Sequence, residues 1–195
     1  MKQLIVLITI VSALMTGCAS NPHRGAHASR VKIDTLFTGK ASSRALAESP
    51  FRLWFGADKG RVGEIDLATG TTKFHPVDTL TSELRSIAVI KEAVFVLNAG
   101  SPATLYRLDI ATGETKCVYS EFGADVFYDS MAFDDENYGV AIGDPSHGCP
   151  SVIQTFDGGL NWTKLKCGAL PQMTAGEASF ASSNTCVAVR GSDIW

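Results

Sequence analysis

The sequence lacks a sustained helical period anywhere along its 195 residues, and it lacks the phosphate-binding glycine patterns that need a helix. No Gly-x-Gly-x-x-Gly lies between a strand and a helix, and a P-loop and a serine nucleophile elbow are also missing. Oxidoreductase chemistry therefore has no support, and no cofactor is expected. Charge of one sign is scarce too: 17 Lys and Arg against 20 Asp and Glu give a net charge of -3, with the basic residues scattered. That pattern excludes the basic footprint of a nucleic-acid binder. The four cysteines beyond Cys18 include no Cys-x-x-Cys pair, and His147 is the one histidine close to them, so no metal site is expected. What is present is a globular composition, 45% hydrophobic and 19% charged, in a length that can bury one sizeable core.

The N-terminus has the layout of a targeting segment. Lys2 precedes an apolar run from Leu4 to Met15 that is too short to cross a bilayer. The run ends in Met15-Thr16-Gly17-Cys18, which resembles a bacterial lipobox, with Met15 where Leu is usual. The resemblance implies a signal peptide over residues 1–17 and lipidation of Cys18. Ala19 after it resembles the pattern of lipoproteins sent to the outer membrane. Residues 18–31 then form a polar tether with Pro22, Gly25 and Ser29, and the domain proper is expected over 32–195. Acyl chains contribute about 0.8 kcal/mol per buried CH₂, which makes a multiply acylated Cys18 a stable anchor. The expected location is the cell envelope, on the periplasmic side of the outer membrane. In that oxidising compartment Cys117, Cys149, Cys167 and Cys186 can pair in three ways, and the sequence does not choose among them.

The strongest long-range signal is a repeat. Units begin near Ser43, Ser86, Ser130 and Ser179, at offsets of 43, 44 and 49 residues, the length of a four-stranded propeller blade. Each unit reads as a short apolar strand a, a polar turn, and a strongly apolar strand b, expected over Phe51 to Phe55, Ala93 to Leu97, Gly139 to Ile142 and Thr185 to Val189. A glycine-containing loop leads to strand c, and a tight turn marked by Gly70, Gly113 or Gly159 leads to strand d. Continuous apolar b strands imply burial on both faces. The fold expected is all-β, a β-propeller of four-stranded blades. About three and a half blades are present, so another copy or further sequence would be needed to close a ring.

In the third unit the turn reads Thr155-Phe156-Asp157-Gly158-Gly159-Leu160-Asn161-Trp162, which fits the Asp-box spacing. Thr155, Asp157, Gly159 and Trp162 are expected to build a hairpin, the Asp accepting backbone N–H groups and the Trp returning to the core. With the strings around Asp129 to Gly148 and Gly176 to Val189, the chain resembles bacterial relatives of the photosystem II assembly factor Ycf48/HCF136 in the BNR/Asp-box propeller group. The first two turns depart from it, reading Asp-Leu-Ala-Thr-Gly and Asp-Ile-Ala-Thr-Gly. The resemblance implies a docking or assembly scaffold rather than an enzyme.

In such a blade the start of strand a and the end of strand b share one face. That collects Arg44, Glu83, Arg85, Asp129 and Glu177 with Asp58, Asn98, Asp144 and Arg190 around a channel rim, and His147 follows in a loop. Arg44, Arg85, Asp129, Asp144, His147 and Glu177 are the candidate binding residues, for a protein or a glycan partner. Asp-boxes also occur in sialidases, which need clustered arginines and a Tyr nucleophile paired with Glu. Tyr128 beside Asp129 is the one tyrosine placed for that role, and no complete catalytic set is legible.

Overall fold

Burial of both faces of one strand shows how this chain is built. In the computed structural model, which describes residues 31–77, 83–180 and 184–195, Ala93–Asn98 carries Val94 and Val96 on one face and Phe95 and Leu97 on the other, all fully buried. The two faces enter two different cores. A strand sandwiched this way has no polar alternation, which explains the unbroken apolar run in the sequence.

The described strands form three antiparallel four-stranded sheets and a short hairpin. The first blade contains β1 (Ser43–Ser49), β2 (Arg52–Ala57), β3 (Arg61–Asp66) and β4 (Thr72–Pro76). In the second are β5 (Leu84–Val89), β6 (Ala93–Asn98), β7 (Ala103–Asp109) and β8 (Thr115–Glu121). The third has β9 (Tyr128–Phe133), β10 (Gly139–Ser146), β11 (Cys149–Thr155) and β12 (Thr163–Lys164). Each sheet runs in simple sequence order, and the first strands pack side by side, β1 against β5 and β5 against β9. This is the expected all-β, blade-like architecture. The chain divides after Asp34 into two units. In the described part of the first, Lys32 pairs with Asp34 at 2.9 Å, and all the described strands belong to the second.

The blades meet through two cores. Trp54, Val62, Ile87, Val94, Val96 and Leu108 fill the first-to-second interface. Phe95, Leu97, Leu105, Met131, Ile153 and Trp162 fill the second-to-third. On the far face of the first blade, Phe37 lies against Phe55 and Phe74 at ring-centroid distances of 5.8 and 6.0 Å.

Three expectations change in detail. Phe51 does not open strand b; it occupies the preceding turn with φ 66° and is 78% exposed, and β2 starts at Arg52. The expected strand over Thr185 to Val189 is replaced by β13 (Val189–Arg190) and β14 (Asp193–Ile194). Asn184 adopts φ 57° and spends its amide on β5, donating to Ile87 O at 2.6 Å and accepting from Ile87 N at 3.2 Å, while Gly191 at φ 57° turns the chain back. Ser179 and Phe180 carry no strand, and residues 181–183 lie outside the described residues. The cysteine pairing left open by the sequence is Cys149 with Cys167, with Cys117 and Cys186 outside any disulfide. Cys18 and the lipobox lie outside the described residues.

Candidate functional site

The first strands of the blades share a defect. In β1 the register jumps between Ser43 and Ala45, in β5 between Leu84 and Ser86, and in β9 between the residues facing Ile142 and Gly143, Ser130 and Tyr128. The residue left without a ladder partner is Arg44, Arg85 and Asp129 in turn. A β-bulge inserts one residue, bends its strand and re-aims a side chain, and it is enriched beside binding sites. The same device therefore puts an ionisable residue at the equivalent place in all three blades. It also shifts the repeat: Ala45, not Ser43, is the counterpart of Ser86 and Ser130, because the extra residue precedes it.

Around these bulges the rim is tightly tied. Glu83 bridges two blades, 3.0 Å from Arg85 and 3.9 Å from Arg44. Ser86 Oγ donates to the backbone oxygen of Asp129 at 3.0 Å, joining β5 to β9. The strand-b exits anchor their surroundings. Asp58 accepts from Arg61 at 2.6 Å, a bond that holds its carboxyl below the usual range. Asn98 donates to Gly100 and Pro102 carbonyls, and Asp144 Oδ1 accepts Ser179 N at 2.9 Å. Of the candidate residues, Arg44 and Arg85 come together through Glu83, and Asp129 feels the charges of both Asp144 and Arg85. Two stay apart in function: His147 and Gly148 form a left-handed pair in the β10–β11 turn, and Glu177 closes its own turn by accepting Thr174 N at 2.6 Å. Arg190 sits in β13.

Asp129 is the outlier of the set. It is completely buried, and neither carboxylate oxygen has a hydrogen-bond partner among the described residues. Burial, reinforced by the charge of Asp144, pushes its carboxyl up to about 7 against the weaker pull of Arg85. Its neighbour Tyr128 points the other way, into the core between the second and third blades. The Tyr128 hydroxyl donates to Glu121 at 2.8 Å, Tyr119 donates to the same oxygen at 2.6 Å, and Lys164 donates to the other. Burial, the bond with Tyr119 and the Glu121 charge push the Tyr128 hydroxyl far above its ordinary range. A Tyr–Glu pair thus exists, but it is a buried strut between blades and offers no accessible nucleophile.

The Asp-box residues form the hairpin. Thr155 Oγ1 donates to Asp157 at 2.9 Å and accepts Gly159 N at 3.0 Å, and Asp157 accepts the N–H groups of Leu160 and Asn161, each at 3.0 Å. The two turns without the full box use the same carboxylate logic. Asp66 Oδ1 accepts Ala68 N and Thr69 N, and Asp109 Oδ1 accepts Ala111 N and Thr112 N. These bonds hold the Asp66 and Asp109 carboxyls below the usual range, and Asp157 is lowered chiefly by the Asn161 side-chain amide, which donates to Oδ2 at 2.7 Å, together with its backbone bonds.

Open space lies elsewhere. The crevice lined by Arg44, Asp58 and Glu83 has about 10 Å³. At the opposite ends of the strands, where the a–b and c–d turns cluster, two adjoining clefts of about 460 and 370 Å³ share Ile90, Lys91 and Glu136. Sequence reasoning missed them because each is assembled from turns of different blades. The charged residues at 91, 92 and 136 were legible only as turn residues.

Similarity to known proteins is structural. The chain is similar to the computationally designed Ika4 protein, with TM-score 0.55 and 18% identity over 85% of this chain and 91% of that one. It is similar to the WD40 repeats of RRP9, with TM-score 0.54 and 12% identity, over 74% of this chain and 42% of that one. The designed Ika8 protein gives TM-score 0.51 and 19% identity, over 78% and 42%. No protein-family model and no curated protein matches the chain. Identities this low establish architecture and no more: the chain is all-β and propeller-like, its described residues forming three four-stranded sheets and a short hairpin.

Proposed function

We propose that this protein is a lipid-anchored scaffold of the cell envelope whose bulge-lined rim binds a protein partner. The observation that carries the reading is the repeated bulge that presents Arg44, Arg85 and Asp129 at equivalent places on a rigid three-blade frame. Rigid frames that hold polar side chains in fixed positions suit binding without chemistry. Arg44 is favoured over Asp129 as a contact residue, since it is partly exposed whereas Asp129 is buried. The Ycf48 resemblance supports docking onto proteins, and the lipobox at Cys18 supports the envelope address.

Two outcomes are expected. Substituting Cys18→Ser should move the protein from the membrane fraction to the soluble fraction, and an unchanged distribution would refute lipidation. The double change Arg44→Gln with Arg85→Gln should reduce recovery of cross-linked envelope partners by about tenfold, as loss of charged contacts to a partner predicts. Thermal melting should stay near wild type, because both side chains are partly exposed. The same partners recovered in the same amounts would sink the rim as the docking surface.

A further inference from the structure

We infer that the cleft between the second and third blades, on the turn-bearing face, is a subsite for an organic carboxylate held by Arg107. The site is independent of the rim, at the other end of the strands. Arg107 lies in β7 between cross-strand neighbours Phe95 and Lys116, and its side chain is only 15% exposed. Its closest acidic atom, Asp109 Oδ2, is 3.7 Å from Nη1, beyond hydrogen-bond length, and the buried Nε has no partner among the described residues. Asp109 is not free to move closer. Its other oxygen is fixed by Ala111 N, Thr112 N and Thr112 Oγ1 at 2.8 to 3.1 Å.

A guanidinium mostly withdrawn from water and lacking a hydrogen-bonded anion is costly, so the arrangement favours any ligand that supplies one. The guanidinium is planar and matches a carboxylate through two parallel bonds. Arg107 lines the cleft of about 370 Å³, where Lys91 adds a second cation and Ile90 and Leu160 add apolar wall. Two carboxylates lining it are already committed, Glu136 to Lys91 N at 2.8 Å and Asp157 to its own turn. With Glu92 they give the lining three carboxylates against two cations, a field that opposes a doubly charged phosphate most strongly, so the attraction for a singly charged acid with an apolar body is the paired bonds of Arg107 itself. Such an acid can be a small molecule or the acidic side chain of a polypeptide.

Calorimetric titration of the full chain at low salt with isocaproate, and separately with an end-blocked Leu-Glu-Leu tripeptide, tests this. Saturable binding of either probe supports the subsite, and the one that binds identifies the source. Arg107→Gln should weaken binding at least about tenfold and Arg107→Lys several-fold, because an ammonium cannot make the paired bonds. Arg85→Gln should leave it unchanged, and end-blocked Leu-Gln-Leu should not bind. The subsite is overturned if neither probe saturates below about 10 mM, if Leu-Gln-Leu binds as well as Leu-Glu-Leu, or if Arg107→Gln binds like wild type. Melting curves show which variants fold. Should Arg107→Gln fail, the Arg107→Lys ratio and the Gln tripeptide decide.

Discussion

Replacing Trp162 by Ala is expected to lower the free energy of unfolding by about 3 to 5 kcal/mol, the range for emptying a large aromatic site in a packed core. The indole closes the core between the second and third blades, with its ring edge-on to Phe95 at 6.2 Å and to Phe133 at 5.8 Å. Its N–H donates to Gly159 O at 3.2 Å, so the turn and the core are joined through one residue. Gly159 itself has φ 75°, and a Cβ there would stand 2.2 Å from Phe95, so this corner of the turn packs directly on the core and tolerates no side chain. Trp162→Phe separates the two contributions. It keeps most of the apolar surface and loses the hydrogen bond, for a cost of about 1 kcal/mol beyond the volume change. Asp157→Ala should cost less than Trp162→Ala, since the amides it holds lie in an exposed turn where water replaces the carboxylate. Denaturant unfolding of the three variants checks the order. If Asp157→Ala proved the most damaging, the turn rather than the packed indole would carry the motif's stability.

How much of this could be read beforehand depends on where each signal resides. The central strands were legible because burial on both faces leaves an unbroken apolar run, as in Ala93 to Leu97. The Asp-box was legible because its hydrogen bonds are local, three or four residues apart. The bulges were not, since a register jump is a relation between two strands and leaves no mark on either. Aligning the units on serine kept Arg85 and Asp129 equivalent, each just before its serine, and hid that Arg44, which follows Ser43, is their counterpart. Tyr128 shows the same limit. A strand sends successive side chains to opposite faces, so adjacency to Asp129 in sequence put its hydroxyl in a different environment. The Cys149–Cys167 pair and the two turn-face clefts likewise depend on contacts between segments far apart in the chain.

The rim's buried acid leads to the second large effect, and its sign is opposite to that of most core substitutions. With its carboxyl raised to about 7, Asp129 keeps its proton in the folded chain while the unfolded chain releases it near the ordinary value of about 3.9. Between those values the folded state binds the extra proton, so stability falls as pH rises through the window, and above about 7 the whole penalty is present. The turn carboxylates Asp66, Asp109, Asp135 and Asp157 act in the other direction. Their folded values lie below the usual range, so their contribution is complete above about pH 4 and is lost on further acidification. The two trends place the stability maximum in mild acid, near about pH 4 to 5. Asp129→Asn keeps the shape of the side chain and removes its titration. The variant should lose the downward slope between about pH 4 and 7, so that relative to wild type it gains about 2 to 4 kcal/mol on going from pH 4 to pH 8, given 1.36 kcal/mol per pKa unit. Any fixed packing difference between Asn and the protonated acid shifts the whole curve and cancels in the slope. Parallel curves for the two proteins from pH 4 to 8 would mean that Asp129 ionises normally in the folded chain, with an anion's partner, and that the bulge in β9 presents a charged carboxylate to the rim as the bulges in β1 and β5 present their arginines.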